Sequence, residues 1–396
     1  MPGNVLILGG GFAGLAAAGE LARHGPPDLS VRLIDRRRNS AFAPVLPDLI
    51  SGRIRPQHMA EPLEPFCRRL GVEFIHTPVR RILPTEGKVE TDAGEFEADR
   101  LLLCLGCENN YHGNGEAEEH ALGLKTVGEG MAIRRRALEL VSEDAHDRPH
   151  VVVVGGGYTG FEVASHVAFL LHRKLGVPYA DLPGTCPILV VEQADEVLRN
   201  CSPHVQRWAV RLLERFGVEV RTGVSTAQIQ ADAVRLSDGT DMPRAMTAWA
   251  AGVTPGPAAA ELDAPKVRGG RLEVDENLRL PGTPNVFAAG DVAGPVTPGE
   301  ETPLRMSIQF SLAGGRHAAR NVLRSMAGRT VERFRPFDPG YIVPLAPGQA
   351  AGTILGTEMV GRVPSLLHYF MCVVRSWSWR NRVGMAKDLL RPGGEG

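Results

Sequence analysis

Two segments of this 396-residue chain carry glycines in G-x-G-x-x-G spacing directly after a short apolar run. The first segment is VLILGGGFAGLAAAGEL, residues 5–21, and the second is VVVVGGGYTGFEVASHV, residues 151–167. Glycines spaced as G-x-G-x-x-G permit a tight strand-to-helix turn, a close backbone approach to a diphosphate, and close packing of the helix on the strand. The free N–H groups at the start of such a helix hold phosphate oxygens. Each segment therefore predicts a site for the diphosphate of a dinucleotide.

An acidic residue ends the next predicted strand after each glycine run. Asp35 follows the strand 31–34, and Glu192 follows the strand 188–191. An acid at this place hydrogen-bonds the ribose of a dinucleotide. Glu192 would repel a 2′-phosphate, and Gln193 rather than arginine follows it, so we expect NADH to be preferred over NADPH. The second interval is longer than the first, and we expect residues 178–184 to form an inserted loop.

Two dinucleotide sites in one chain indicate electron transfer between a bound flavin dinucleotide and a nicotinamide dinucleotide. Such chemistry requires neither a protein nucleophile nor a metal, because the cofactor carries it. The elements that would position these sites are short, continuously apolar strands, which are typical of parallel sheets buried on both faces. Three more predicted strands of this kind each lead into a glycine, over residues 101–106, 248–253 and 286–291. In the last of them the glycine is followed by an acid, as Gly290-Asp291.

These motifs, in this order, resemble the two-dinucleotide-binding flavoproteins related to the pyridine nucleotide–disulfide reductases. The resemblance implies that Gly290 and Asp291 contact the ribityl chain of FAD, and that the chain leaves the FAD domain and returns to it. We expect an α/β fold with two Rossmann-like dinucleotide-binding domains, the NAD domain inserted in the FAD domain, and a small C-terminal element. The expected boundaries are 1–115 and 254–330 for the FAD domain, 116–253 for the NADH domain, and 331–396 for a membrane-association or dimerisation element.

Two further stretches are similar to the type II NADH dehydrogenases, which are single-subunit NADH:quinone oxidoreductases. One is Phe42-x-Pro44-x-Leu46, and the other is Gly157-Tyr158-Thr159-Gly160-Phe161-Glu162. The resemblance implies a hydride transfer from NADH to flavin N5 and then two electrons to a quinone, without proton pumping. It also implies that Glu162 lies near the nicotinamide and flavin rings. The paired glutamines that often mark the quinone site in the bacterial enzymes are missing after Gln309, so the acceptor pocket is altered.

The predicted site residues form three groups. The residues expected to bind FAD are Gly9, Gly11, Phe12, Ala13, Gly14, Asp35, Arg36, Pro44, Leu46, Val79, Gly106, Gly290 and Asp291. The residues expected to bind NADH are Gly155, Gly157, Tyr158, Thr159, Gly160, Glu162, Glu192, Ala251 and Gly252, with Glu162 as the catalytic residue. The acceptor is expected to meet Ile308, Gln309 and Phe310, near the start of a helix that runs from Met306 through Val322.

Three alternatives stay open at this point. A sulfide:quinone oxidoreductase-like enzyme would need catalytic cysteines, and neither Cys186, Cys201 nor Cys372 has the expected sequence context. An NADH-dependent ferredoxin or rubredoxin reductase could dock an acidic partner on the basic tail. A flavin-bound protein that senses redox state is the third. Residues 39–52 contain no cysteine, so no redox disulfide is expected there, and the lone C-x-x-C at 104–107 does not predict a metal site.

The composition excludes several classes of protein. The hydrophobic fraction is 43%, the charged fraction is 22%, and the formal net charge is −1, so nothing favours nucleic-acid binding. The start of the sequence lacks the pattern of a signal peptide, and no apolar run is long enough for a transmembrane helix. We expect a cytoplasmic protein with reduced thiols.

The tail of the chain combines apolar, aromatic and basic residues. If residues 366–382 form one helix, then Leu366, Phe370, Val373, Val374 and Trp377 share a face, with several arginines nearby. Interfacial helices have this composition. We therefore expect a peripheral association with the inner face of the cell membrane, and a homodimer contact is the alternative for the same surface.

Overall fold

The computed structural model describes residues 3–142, 148–297, 299–300, 302–345 and 348–391. The strands of these residues are β1 (Asn4–Leu8), β2 (Ser30–Asp35), β3 (Asn39–Ala41), β4 (Ala60–Pro62), β5 (Glu73–His76), β6 (Val79–Leu83), β7 (Lys88–Thr91), β8 (Gly94–Glu97), β9 (Arg100–Leu103), β10 (Cys107–Asn109), β11 (His150–Val154), β12 (Ile188–Glu192), β13 (Val218–Thr222), β14 (Thr226–Ile229), β15 (Ala233–Leu236), β16 (Asp241–Pro243), β17 (Ala245–Trp249), β18 (Val253–Pro255), β19 (Val286–Ala288), β20 (Gly340–Leu345), β21 (Gln349–Ile354) and β22 (Thr357–Gly361). The helices are α1 (Phe12–His24), α2 (Leu46–Ser51), α3 (Leu63–Arg69), α4 (Gly115–His120), α5 (Val127–Ser142), α6 (Tyr158–Leu175), α7 (Leu182–Thr185), α8 (Pro203–Arg215), α9 (Pro257–Ala260), α10 (Ile308–Met326), α11 (Arg362–Arg375) and α12 (Trp379–Leu389). Short 3₁₀ helices cover Ala43–Val45, Pro56–His58, Tyr179–Asp181 and Arg268–Gly270.

The chain folds into two compact units. The first unit contains residues 1–40, 61–108 and 253–338. The second unit contains residues 41–60, 109–252 and 339–396.

The first unit is organised around a five-stranded parallel sheet with the strand order β19-β9-β1-β2-β5. Residues 5–8 of the central strand β1 have no solvent exposure, as expected for a strand covered on both faces. Helices α1 and α10 pack together closely because Gly315 of α10 has no side chain to collide with the backbone of Ala13. Strands β6, β7 and β8 form a separate antiparallel sheet.

The second unit repeats this plan around a four-stranded parallel sheet with the order β13-β12-β11-β17. Strands β14, β15 and β16 form an antiparallel sheet beside it. Helix α2 packs against α5 and α6, where Gly130 of α5 lies against Leu49. In each parallel sheet, the first strand along the chain leads into a glycine run. The two sheets agree with the predicted α/β class and its two Rossmann-like domains.

The C-terminal residues of the second unit form the antiparallel sheet β20-β21-β22 followed by two helices. Helix α11 packs on this sheet. Helix α12 is held by Asp388, which accepts hydrogen bonds from the backbone N–H and the Nε of Arg55, each at 3.0 Å, and lies 2.5 Å from Nδ1 of His58. No helix of the described residues is both long and apolar enough to cross a bilayer.

The structure corrects the expected loop at residues 178–184. These residues form a 3₁₀ turn followed by α7, because the ring of Tyr179 stacks on His172 at 4.2 Å and on Phe216 at 4.9 Å. Aromatic stacking of this kind fixes a short segment against the helices beside it. The expected start of the later helix is also wrong by two residues, since Ser307 caps α10 and Met306 lies outside it.

The expectation of one continuous helix over residues 366–382 is wrong. Helix α11 ends at Arg375, and Ser378 caps the start of α12 by accepting from the N–H of Asn381. Trp377 lies between the two helices and is half-buried, as is Val373. The exposed face of α11 therefore differs in part from the predicted one.

Candidate functional site

The two glycine runs adopt the same turn. Gly9 follows β1 with φ of +107°, and Gly155 follows β11 with φ of +111°. A side chain at either position would be strained, and it would also overlap the backbone of Cys104 or Ala250 at the end of a neighbouring strand. Only glycine fits at these two strand ends.

The third glycine of each run brings the helix close to the strand. A Cβ on Gly14 would overlap the carbonyl oxygen of Gly9, and a Cβ on Gly160 would overlap that of Gly155. The middle glycines, Gly11 and Gly157, cap α1 and α6 and have no heavy atom within 4 Å of a Cβ position. The first residues of these helices are Phe12, Ala13 and Gly14 in one and Tyr158, Thr159 and Gly160 in the other. Each run thus presents open backbone N–H groups at a helix start, which suits a diphosphate.

The two acids close these turns with matching hydrogen bonds. Asp35 accepts from the N–H of Gly10 at 2.6 Å and from the N–H of Arg37 at 2.7 Å. Glu192 accepts from the N–H of Gly156 at 2.8 Å and from the N–H of Ala194, two residues further along the chain, at 2.9 Å. Both carboxylates are therefore fixed beside the glycine turn, where a ribose hydroxyl can reach them.

A groove in the first unit joins several predicted FAD residues. Gly9, Asp35, Arg36 and Val79 line it together with Glu108, which forms an ion pair with Arg36. The donor set suits the adenosine half of FAD: open glycine backbone, a fixed carboxylate and an apolar wall. Glu108 escaped the sequence analysis because it lies beyond the predicted strand end at residues 101–106.

Gly290 and Asp291 follow β19 and line a second, smaller cavity in the first unit. Ser311 of α10 donates a hydrogen bond to the Asp291 carboxylate at 3.3 Å. The carbonyl oxygen of Asp291 accepts from Nε of Arg271 at 3.1 Å. Gly106 has φ of +67° and open space around it. Asp291 is thus held from both its carboxylate and its backbone.

The predicted acceptor residues form the first turn of α10. Phe310 lies in the wall of the same small cavity, and the guanidinium of Arg305 lies 5.1 Å from its ring centre. Arg305 forms a two-point ion pair with Asp338. Gln309 donates to the same carboxylate at 3.4 Å. These contacts tie the side chain of Gln309 to Asp338.

The remaining predicted residues lie in the second unit. Gly252 follows β17 with φ of +131°, and the carbonyl of Ala251 lies 2.9 Å from Nε2 of His112. Pro44 is half-buried in a 3₁₀ turn, and Leu46 is buried at the start of α2. Glu162 lies in the first turns of α6.

A cluster of buried polar side chains, which the sequence analysis missed, surrounds α2 of the second unit. Asp48 of α2 is only 1% exposed. Its Oδ1 accepts from the hydroxyl of Tyr369 at 3.0 Å, and Arg53 donates to that hydroxyl at 2.8 Å. Burial raises the pKa of Asp48 from 3.8 to about 6, although Arg53 and Tyr369 act in the opposite direction. Tyr369, which bonds to Asp48, lies 321 positions later in the sequence. Local sequence patterns therefore give no signal for this cluster.

The charge of Asp48 also acts on Glu162, which lies in the first turns of α6. Burial, together with the Asp48 charge, raises the pKa of Glu162 well above its ordinary value. Two histidines of the cluster are held neutral, since burial lowers the pKa of His166 and brings that of His368 to about 4. Cys372 lies 3.4 Å from Nε2 of His368, and burial raises the pKa of its thiol. No group of three or more histidine, cysteine or acidic residues among the described positions is arranged to hold a metal ion.

Comparison with known proteins places this geometry among flavoenzymes. The family model described as pyridine nucleotide-disulphide oxidoreductase matches residues 3–315. A curated relative from Staphylococcus saprophyticus, the type II NADH:quinone oxidoreductase, is 29% identical over 372 residues and covers 91% of each chain. The same enzyme from Staphylococcus aureus is 26% identical over 378 residues, again with 91% of each chain covered.

Solved structures share the fold over nearly the whole chain. The structure of NDH2 from Plasmodium falciparum in complex with NADH has a TM-score of 0.87 at 16% identity, and covers 98% of both chains. The sulfide:quinone oxidoreductase of Aquifex aeolicus has a TM-score of 0.79 at 19% identity, and covers 96% of this chain and 92% of its own. At these identities the likeness concerns the fold.

The pKa of Asp48 makes stability depend on pH. The folded protein binds the proton of Asp48 more tightly than the unfolded chain, so its free energy of unfolding falls as pH rises from about 4 to about 6. We expect Asp48→Asn, which cannot ionise and still offers an oxygen to Tyr369, to lack this decline. Relative to the unmodified protein, the variant should gain about 3 kcal/mol between these pH values. Thermal unfolding of the FAD-loaded proteins from pH 4 to pH 8 measures the difference, and a difference that does not change with pH would contradict the assignment.

Proposed function

The chain belongs to the pyridine nucleotide-disulphide oxidoreductase family, and from that premise we propose that it passes two electrons from NADH through FAD to a quinone. The observation that supports this most directly is the repeated glycine turn with its fixed acid. One copy follows β1, the first strand along the chain in the parallel sheet of the first unit. The other follows β11, the first strand along the chain in the parallel sheet of the second unit. A chain with one resident dinucleotide and one exchanging dinucleotide requires two such sites.

Family membership confirms the predicted resemblance and the predicted enzyme class. The chain is a flavin-dependent oxidoreductase with FAD and a nicotinamide dinucleotide as cofactors. When bound, FAD would supply the ability to accept a hydride and to pass electrons on to an acceptor. The chain's own residues bind, orient and shield the reacting groups.

Most of the residues that would hold FAD lie in the first unit, while Pro44 and Leu46 lie in the second. The N–H groups after Gly11 bind the diphosphate, and Asp35 binds the adenosine ribose. Asp291, fixed by Ser311 and Arg271, binds the ribityl chain. Val79 covers the adenosine side of the groove.

The residues that would hold NADH lie in the second unit. The start of α6 at Gly157 binds the diphosphate, and Glu192 binds the adenosine ribose. Arg199 lies 3.7 Å from Glu192, at the rim of this site. We assign to Glu162, in the first turns of the same helix, the transfer of a proton to the reduced acceptor.

The C-terminal region supplies a surface for a lipid membrane. Helix α11 exposes an apolar stripe, which consists of Val363, Leu366, Leu367, Phe370 and Val374. The opposite side of α11, with Tyr369 and Cys372, is buried. Exposed Arg362 begins the helix, and exposed Trp379 and Arg380 follow it. An apolar stripe bounded by cations and tryptophan fits an interface with anionic lipid, where a lipid quinone is available.

The proposed reaction is tested first by anaerobic stopped-flow measurement. The FAD-loaded protein should lose its yellow colour on mixing with NADH, and a short-chain quinone should restore it rapidly. Rapid bleaching without reoxidation by quinone would contradict the quinone acceptor, and the same experiment with a ferredoxin would then test a protein acceptor. Failure to bleach with NADH would contradict the whole reaction.

Glu192 should determine the choice of nicotinamide cofactor. In Glu192→Arg the repulsion of a 2′-phosphate is replaced by a charge-assisted hydrogen bond, which is worth about 1.5–3 kcal/mol. We expect the ratio of kcat/KM for NADPH over NADH to rise about 10-fold or more. Glu219→Arg adds the same charge on the exposed side of β13 and serves as the control. Unchanged selectivity in Glu192→Arg would contradict the assignment.

The apolar stripe of α11 should carry membrane binding. Leu366 is 71% exposed and Phe370 is 62% exposed, so Leu366→Glu/Phe370→Glu alters the surface without opening the core. Each lost apolar contact is worth about 1.5–3 kcal/mol, and we expect co-sedimentation with anionic vesicles to weaken at least about 10-fold. The control variant Met131→Glu changes an exposed residue of α5 and should bind vesicles as strongly as the unmodified protein. If the stripe instead holds two copies of the chain together, the unmodified protein should be a dimer that does not bind vesicles. The double variant should then be a monomer.

A further inference from the structure

A turn that follows β12 in the second unit brings an arginine to the acid of the predicted NADH site. Gln193 comes directly after Glu192 in the sequence, and Arg199 comes six residues after Gln193. The N–H of Leu198 donates to the carbonyl of Gly156, in the glycine run, at 2.8 Å. Nη2 of Arg199 lies 3.7 Å from Oε1 of Glu192. The fold thus places beside the acid a cation that the sequence does not place directly after it.

The backbone of this turn is fixed in an unusual conformation. Leu198 has a φ of +49°, which is uncommon for a residue other than glycine. Its side chain is buried, and its carbonyl accepts from the N–H of Cys201 at 2.7 Å and from the side-chain amide of Gln206 at 3.2 Å. Such a conformation persists where the surrounding contacts determine it. The backbone of Arg199 is therefore held beside the glycine run, while its side chain is 64% exposed and can turn toward a ligand.

The contact between Arg199 and Glu192 leaves the guanidinium donors available. Oε2 of Glu192 accepts from the N–H of Gly156, and Oε1 accepts from the N–H of Ala194. Arg199 approaches Oε1 at 3.7 Å, which is too long for a hydrogen bond. Arg199 therefore offsets part of the Glu192 charge, and this contact uses none of the N–H groups of the guanidinium.

The other charged groups near this edge of the sheet balance one another. A surface pocket by the ends of β12 and β13 is lined by Asp195, Glu196, Arg207 and Arg211. The formal charges of these two acids and two arginines cancel. The pocket therefore supplies no net positive charge, and the cation that is paired with the ribose acid is Arg199.

We propose that Arg199 is a specificity-determining residue that lets this site accept the 2′-phosphate of NADPH in addition to the ribose hydroxyl of NADH. The inference rests on the proposed function, since it widens the electron donor from NADH to both nicotinamide dinucleotides. An arginine near the ribose acid accommodates a 2′-phosphate, and a planar guanidinium binds phosphate oxygens at two points. Glu192 still repels the phosphate, so NADH stays the better donor. The overall balance keeps its form: NADPH, one proton and quinone give NADP⁺ and quinol.

Steady-state kinetics with a short-chain quinone give the first test. The unmodified, FAD-loaded protein should oxidise both donors, with a higher kcat/KM for NADH. In Arg199→Ala the ratio of kcat/KM for NADPH over NADH should fall about 10-fold, because a charge-assisted hydrogen bond to the phosphate is lost. The loss should appear in KM for NADPH rather than in kcat, since the 2′-phosphate lies far from the nicotinamide. Arg199→Lys should retain part of the ratio. The control is Arg135→Ala, which removes an exposed arginine of the second unit that is paired with Glu139 at 3.8 Å and should leave the ratio unchanged.

A double-mutant cycle separates phosphate binding from a role in orienting Glu192. Glu192→Gln removes the repulsion and releases Arg199 from its ion pair, so the ratio for NADPH over NADH should rise. Adding Arg199→Ala to Glu192→Gln should abolish most of this gain, because the two side chains act on the same phosphate. If Arg199 only orients the Glu192 carboxylate, adding Arg199→Ala to Glu192→Gln will not change the ratio, and the inference is wrong.

A binding measurement without turnover separates this inference from the function on which it rests. Calorimetric titration of the FAD-loaded protein compares adenosine 2′,5′-bisphosphate with adenosine 5′-monophosphate. The bisphosphate should bind about 10-fold more weakly to Arg199→Ala than to the unmodified protein, and added salt should reduce this difference. If the unmodified protein passes electrons from NADH to quinone but neither oxidises NADPH nor binds the bisphosphate, the proposed function stands and this inference is wrong. If neither donor reduces quinone, the proposed function fails, and the titration alone decides the role of Arg199.

Discussion

The contact on which both cofactor sites depend is the approach of a helix to the strand that precedes it. At Gly14 and at Gly160, the helix backbone lies so close to the carbonyl of the first glycine that no Cβ fits between them. This distance directs the first N–H groups of α1 and α6 past the strand end. It also places the N–H of Gly10 and of Gly156 where an acid at the end of the next strand can accept from it. One steric requirement thus fixes the diphosphate site and the ribose site together.

The repetition of this arrangement explains which parts of the fold the sequence could predict. The glycines, the two acids and the apolar strands lie within about 40 residues of one another in each copy, and they obey local rules of turn geometry and strand burial. The same rules locate Gly290-Asp291 at the end of β19. Local rules failed where a distant side chain decided the structure. The stacking of Tyr179 between His172 and Phe216 converted an expected loop into helical turns.

The buried cluster lay outside the reach of sequence patterns for the same reason. Asp48 is an acid in the first turn of a short helix, which is an ordinary position for an acid at a helix start. Tyr369, which bonds to it, lies 321 residues later, in a helix whose apolar periodicity drew attention to the opposite face. His166 similarly follows Glu162 by one helical turn and gives no sign in the sequence that it reaches Ser51. Long-range hydrogen bonds are set by tertiary packing, and a single sequence contains no record of them.

Burial of the Asp48 carboxyl costs the folded protein stability. Burying ionisable groups is unfavourable unless they are paired, and replacing a buried ion pair with apolar residues often stabilises a protein. Here Arg53 and Tyr369 offset only part of the burial of Asp48, because its pKa still rises to about 6. A carboxyl with a pKa of about 6 is mostly ionised at neutral pH and becomes mostly protonated at about pH 5. Part of the cost of burying Asp48 therefore stays uncompensated, and it becomes visible as the fall in the free energy of unfolding between about pH 4 and about pH 6.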